Sequence, residues 1–263
     1  MELFRAKAMN RRFLLERAAW LFGFAAILIG SPGCVFHPGN EPVAPAVADL
    51  PLVVHPRQPH AGPNTVATDT LVVMLSGDGG WAGLDKAVGQ SLVQAGYGVV
   101  GWDSLRYYWR ARTPDEAAAD LDRVIETYRK RWRLRHVALI GYSRGADVMP
   151  FLYNRLPADT QKQVSAIVLL GLASHITFEY HPLSWFGLGP QGQAVLPEAR
   201  RLPADRTTCI YGIDDPEAIC QELQAAGLNV IALPGGHHFN HEYERLADRL
   251  EQRIAANQQT NGG

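Results

Sequence analysis

Gly141-Tyr142-Ser143-Arg144-Gly145 carries the strongest chemical signal in the chain. A serine hydroxyl is a poor nucleophile until a base takes its proton. A sharp strand-to-helix turn presents such a hydroxyl above a sheet edge, and small residues beside it let strand and helix pack closely. The flanks supply both elements: the apolar run 136–140 feeds the motif, and a helical pattern starts near Ala146. An ordinary glycine-rich turn is the competing reading, and the flanks favour the nucleophile.

The base is expected last in the chain, after the final strand. There the sequence reads Leu233-Pro234-Gly235-Gly236-His237-His238-Phe239. His237 is the expected base, His238 the alternative, and His241 lies farther along. The three histidines could also suggest a metal site, but no acidic or cysteine pattern completes one. The orienting carboxylate is expected between serine and histidine, just after a strand. Tyr211-Gly212-Ile213-Asp214-Asp215 offers two. The usual spacing of three residues after the glycine selects Asp215, with Asp214 as runner-up. Such an acid holds the imidazole tautomer and stabilises the imidazolium.

Negative charge developing on an attacked carbonyl needs backbone N–H donors aimed at it. One is expected from Arg144, directly after the serine. The other is expected from Gly77-Asp78-Gly79-Gly80-Trp81, with Asp78 first and Gly79 next. This glycine-rich turn lacks the G-x-x-x-x-G-K-[ST] pattern of a phosphate cradle. No cofactor is implied.

These groups must be held by alternating strands and helices. Strand-like runs fall at 52–55, 71–76, 98–103, 136–140, 166–170, 208–211 and 229–233. Continuous Val/Ile/Leu runs suit strands buried on both faces of a parallel sheet. Helical patterns lie at 84–95, from Thr113 to about Arg131, and at 146–154, 218–226 and 243–256. Thr113-Pro114-Asp115-Glu116 reads as a capping box with proline in the first turn. The alternation predicts a doubly wound α/β sheet, and the order Ser, Asp, His is that of the α/β-hydrolase fold. Residues 174–201 break the alternation and are expected to be a cap or a mobile loop. They hold Phe178, Tyr180, Trp185 and Phe186.

The chain has 263 residues, 47% of them hydrophobic, enough for one domain with a sizeable core. Its 25 basic and 26 acidic side chains leave a net charge of −1. That lacks the basic field nucleic-acid binding needs. Arg11, Arg12 and Arg17 precede an apolar stretch, 18–29, too short to span a bilayer, which is the pattern of an export signal over residues 1–34. Met9 is an alternative start, and an uncleaved anchor the alternative fate. Cys34 follows Ser31-Pro32-Gly33 and is a candidate for lipid attachment, although an aliphatic residue is expected at Ser31. Residues 35–49 read as a tether, 50–256 as the domain and 257–263 as a disordered tail. In an oxidising compartment Cys209 and Cys220 are expected to pair and fix the loop between them.

These segments resemble the VirJ/AcvB family of bacterial virulence proteins. The strings are Leu75-Ser76-Gly77-Asp78-Gly79-Gly80-Trp81, Asp103-Ser104-Leu105-Arg106-Tyr107-Tyr108-Trp109, Gly141-Tyr142-Ser143-Arg144-Gly145-Ala146-Asp147, Cys209-Ile210-Tyr211-Gly212 with Cys220, and Gly235-Gly236-His237-His238-Phe239. The resemblance implies a periplasmic hydrolase that cuts the ester between amino acid and lipid in aminoacylated phosphatidylglycerol, chiefly the lysyl form. It also implies an association with type IV secretion. Gly79, Trp81, Asp103 and Arg106 are the expected substrate-binding residues. Asp78, Asp103 and Asp147 are placed near the ligand-binding edge of the sheet, where one or more could pair with a cationic aminoacyl head group; caps and structural ion pairs are the competing roles, favoured for Asp147. Arg106 and Arg144 suit a lipid phosphate, and the aromatic residues of 174–201 suit an acyl chain, a bilayer or simple core packing. A secretion adaptor on a hydrolase scaffold and a general esterase or thioesterase are the alternatives.

Overall fold

The computed structural model describes residues 41–57, 68–181 and 192–261. The expected export segment, Cys34, Trp185 and Phe186 lie outside the described residues. Among those described, no helix is long and apolar enough to cross a membrane.

The predicted apolar runs form one seven-stranded sheet. Its strands are β1 (Leu52–His55), β2 (Thr70–Leu75), β3 (Gly98–Trp102), β4 (His136–Tyr142), β5 (Val164–Leu170), β8 (Thr207–Gly212) and β9 (Asn229–Leu233), in spatial order β1-β3-β2-β4-β5-β8-β9. All neighbours are parallel except β1, which runs antiparallel to β3 with Leu52 opposite Trp102. β2, β3 and β5 are buried along their whole length, as expected of strands covered on both faces. The short strands β6 (His175–Ile176) and β7 (Gln193–Ala194) form a separate antiparallel pair within the stretch that broke the alternation.

Two helical layers cover the sheet. On one face α1 (Gly83–Gln94) supplies Leu84, Val88 and Leu92, and α8 (Tyr243–Asn261) supplies Leu246, Leu250 and Ile254. On the other, α3 (Pro114–Trp132) and α4 (Arg144–Tyr153) bury Leu121, Ile125, Val148 and Leu152. Thr113 caps α3 with the predicted capping box. Shorter helices lie in the connections: α2 (Ser104–Tyr107), α5 (Ala158–Gln163), α6 (Leu196–Ala199) and α7 (Gln221–Gln224). The strand–helix alternation puts the C-terminal ends of the parallel strands, and the loops that leave them, at one edge.

Three sequence expectations need correction. The domain begins before Leu50: Ala44, Val47 and Leu50 are buried, and the Ala44 N–H donates to Tyr128 Oη. Arg123 of α3 grips Asp49 and the Ala46 carbonyl. A proline- and alanine-rich segment reads as a tether, yet its apolar residues find a groove beside α3. The tail is likewise not free from 257 onward, because α8 runs to Asn261 and Asn257 Nδ2 donates to the Arg206 carbonyl. The helix predicted at 218–226 contracts to α7. The chain before it is held by the Ile219 N–H on the Leu172 carbonyl and by the disulfide at Cys220.

That disulfide joins Cys209 in β8 to Cys220, both fully buried. It closes the loop that carries Asp214 and Asp215. A loop of this size gives about 3 kcal/mol in the chain-entropy model. Replacing both cysteines by serine is therefore expected to lower the melting temperature by roughly 6–12 °C for a domain of this size. Calorimetry of the two proteins measures it, and an unchanged melting temperature would remove the bridge from the account of loop stability.

Candidate active site

The turn between β4 and α4 is built around Ser143. Its backbone sits at φ 51°, ψ −121°, a conformation that costs a non-glycine residue of order 1–3 kcal/mol. The neighbours explain why glycine flanks it. A Cβ on Gly141 would lie 2.3 Å from the Gly145 carbonyl oxygen, and one on Gly145 would lie 2.2 Å from that of Leu75. No side chain fits at either position. The Ser143 N–H donates to the Leu170 carbonyl at 2.9 Å, which fastens the strained residue to β5.

The other two groups arrive on loops after β8 and β9. His237 Nε2 lies 2.9 Å from Ser143 Oγ, and His237 Nδ1 lies 2.7 Å from Asp215 Oδ2. These partners assign the tautomer: Nδ1–H donates to the carboxylate, and Nε2 accepts from the hydroxyl. The second Asp215 oxygen accepts from the Glu217 N–H at 3.1 Å. Asp215 is only 9% exposed, so its bond to the imidazole is shielded from water. Asp214 is exposed and contributes its backbone instead, donating to the Gly235 carbonyl and tying the two loops together. The structure thus separates Asp215 from Asp214 by position.

It separates the histidines too. His238 Nδ1 pairs with Tyr142 Oη at 2.7 Å, and His241 Nδ1 with Tyr243 Oη at 2.6 Å. Burial, and then the neighbouring His237, hold the His238 imidazole below its ordinary range, which favours a neutral ring. Among the described residues no group of His, Cys, Asp and Glu side chains is placed to hold a metal.

Ser143 and His237 open into a cavity of about 530 Å³, whose far side is the loop after β2, including Gly77, Asp78 and Gly79. Gly77 lies against the serine, since a Cβ there would be 3.2 Å from Ser143 Cβ. Asp78 is ion-paired with Arg144, whose Nη1 also donates to the Thr177 carbonyl at 2.7 Å. The guanidinium is buried and lies over the rings of Tyr108 and Tyr180. It therefore braces the glycine loop against residue 177 and is not available to a lipid phosphate.

Three expected substrate contacts do not line this cavity, although Asp103 lies just behind it, against Gly80. Trp81 belongs to the core: Cβ atoms on Gly89 and Gly101 would meet its ring at 3.0 and 2.5 Å. Its indole fills the space those glycines leave. Asp103 caps α2, accepting from the Arg106 N–H at 3.0 Å. Arg106 lines a different groove, with Trp109 and Arg110. Asp147 is buried and accepts from the Ala173 N–H at 2.7 Å, and burial pushes its carboxyl up to about 8. It pins the turn after β5 from inside α4, so its role is structural but is neither the helix cap nor the ion pair weighed for it. Phe178 packs on Tyr108 and Phe151, and Tyr180 stacks on Trp109. Sequence reasoning missed Asp85, in the first turn of α1, which lines the cavity. An acid there looks the same as one placed to complement a helix dipole.

A search of curated proteins found no match. Solved structures share the fold at low identity. Est1E from Butyrivibrio proteoclasticus superposes with a TM-score of 0.55 at 13% identity, over 79% of this chain and 95% of its own. MenH from S. aureus gives 0.55 at 13%, over 79% and 98%. XC6422 from Xanthomonas campestris, described as an a/b serine hydrolase without lid, gives 0.50 at 14%, over 78% and 88%. The central sheet and these neighbours establish an α/β-hydrolase fold. The profile described as "Bacterial virulence protein (VirJ)" matches residues 69–258, most of the chain and every element of the site. With that span matched and its fold in place, the chain belongs to the VirJ family of bacterial virulence proteins.

Proposed function

We propose that this protein is a periplasmic serine hydrolase that cleaves the aminoacyl ester of aminoacylated phosphatidylglycerol, chiefly the lysyl form. The observation that carries the reading is the chain of contacts from Asp215 through His237 to Ser143 Oγ. Family membership and the resemblance it rests on support the substrate, and the Cys209–Cys220 bridge suits an exported protein.

In this reading Ser143 Oγ attacks the aminoacyl carbonyl carbon while His237 Nε2 takes the hydroxyl proton. Asp215 stabilises the imidazolium. The amides of Arg144 and Asp78, with Gly79 as alternative to the latter, receive the oxyanion. The first N–H groups of α4 have no partners within the helix, which suits the Arg144 amide to this task. Collapse breaks the bond to the glycerol oxygen, which leaves with the proton from His237. Water then attacks the aminoacyl-serine ester. His237 accepts its proton and returns one to Ser143 as the amino acid departs.

Docking to an anionic bilayer is served by the groove that holds Arg106. It measures about 700 Å³ and collects Arg106, Arg110 and Arg112 around Trp109. Trp109 is 62% exposed and is one of the two large apolar side chains in that state among the described residues. Neither Arg106 nor Arg110 makes an ion pair among the described residues. Exposed indole and unpaired guanidinium groups match an interface of phosphate and glycerol.

Three outcomes are expected. Ser143→Ala should lower turnover of lysyl-phosphatidylglycerol in mixed micelles about a thousandfold or more, and adding His237→Ala should cost little further. Full activity in Ser143→Ala would refute the mechanism. A deletion strain and a Ser143→Ala strain should both accumulate aminoacyl lipid by mass spectrometry. Arg106→Ala with Arg110→Ala should weaken sedimentation with phosphatidylglycerol vesicles by roughly 30-fold, at about 1 kcal/mol per arginine. Hydrolysis of p-nitrophenyl butyrate should be unchanged, and undiminished vesicle binding would dismiss this groove as the docking face.

A further inference from the structure

Asp85 is the one acid in the wall of the Ser143 cavity that the chemistry above does not use. It is the third residue of α1, follows the glycine loop directly, and is 3% exposed. Its Oδ1 is buried and has no hydrogen-bond partner. Asp85 forms no ion pair with any described residue, whereas the cavity's other acid, Asp78, is held by Arg144. Only the backbone N–H groups of Ala82 and Asp85 itself favour its charge, and nearby Asp103 opposes it.

A capping role accounts for part of this. A carboxylate at the third helical position can reach back to the N-cap N–H. Here the N-cap is Ala82, which has no side chain to return the bond, so half the motif is absent. The second oxygen is left without a partner in a setting where an unpaired buried charge is costly. Burial accordingly pushes the carboxyl up to about 7, so a cation brought to it at neutral pH would meet a group ready to ionise. The surrounding wall suits an alkylammonium chain. Gly79, Gly80 and Leu84 offer no competing charge, and Tyr142 and Tyr243 add aromatic surface.

We propose that Asp85 is the specificity-determining residue that receives an ammonium group carried by the acyl part of the substrate ester. This deepens the aminoacyl-ester reading and rests on it. The hydrolytic residues process any ester they can reach, while Asp85 selects those whose acyl chain ends in, or bears, a positive charge. A lysyl group meets that demand.

The test compares two p-nitrophenyl esters with the same six-carbon acyl chain, those of L-lysine and hexanoic acid, in the full protein and in Asp85→Asn. Rates are divided by the uncatalysed hydrolysis of each ester. Asp85→Asn is expected to lower kcat/KM for the lysine ester about 10- to 100-fold, chiefly through KM, and to alter the hexanoate rate less than twofold. An unchanged lysine-to-hexanoate ratio, or an equal fall on both esters, overturns the assignment. If the variant fails to fold and hydrolyses neither ester measurably, no ratio can be formed and wild type decides the matter. n-Pentylammonium must then inhibit hexanoate hydrolysis at lower concentration than n-pentanol does, and equal inhibition overturns the assignment. Lysyl-phosphatidylglycerol is assayed in parallel. No turnover of the lipid, with the Asp85-dependent ester preference intact, defeats the lipid reading and leaves the ammonium site standing.

Discussion

The site depends on a steric constraint at the start of α4. Ser143 must sit at positive φ to raise its hydroxyl clear of the sheet, and that conformation survives only because strand, helix and β2 close in on it. Gly141 faces Gly145, and Gly145 faces the backbone of β2. Three adjacent elements therefore meet with no room for a Cβ. The cost of the strained residue is met by this packing and by the hydrogen bond to Leu170.

Around that fixed point the loops are held by unlike devices. Asp214 ties its loop to Gly235 through the backbone, and the disulfide anchors the other end of the same segment at Cys220. Asp147 pins the turn after β5, beside which Gly171 comes within 3.0 Å of the imidazole at a Cβ position. Arg144 braces the glycine loop through Asp78. A hydrogen bond between imidazole and hydroxyl tolerates little displacement, so the acid, base and nucleophile need such independent restraints.

The cavity joins two kinds of chemistry on one edge of the sheet. One side holds the groups that move a proton, and another holds a buried carboxyl without a cation. In the proposed reading, reaction and selection are thus assigned to different elements: the loops after β4, β8 and β9 for the first, and the opening turn of α1 for the second. Selectivity can then change without disturbing the strained serine.

Much of this was legible from the residues alone. Period and composition located all seven strands of the sheet: β2, β3 and β5, buried along their whole length, leave uninterrupted apolar runs, and the edge strands β1 and β9 stay apolar enough to read although they are only partly buried. Spacing after Gly212 and Gly235 pointed to Asp215 and His237, since local turn geometry fixes which residue a short loop presents. What could not be read was whatever depends on distant chain segments meeting. Trp81 looked like a binding aromatic until Gly89 and Gly101 made a slot for it, and of the two roles open to Asp103 the structure shows the cap, on α2. Residues 44–50 resembled a tether because their contact lies more than seventy residues away, on α3. Asp85 gave no sign at all: an acid in the first turn of a helix is ordinary, and only folding reveals that this one is buried, unpaired and in the wall of the cavity that holds Ser143.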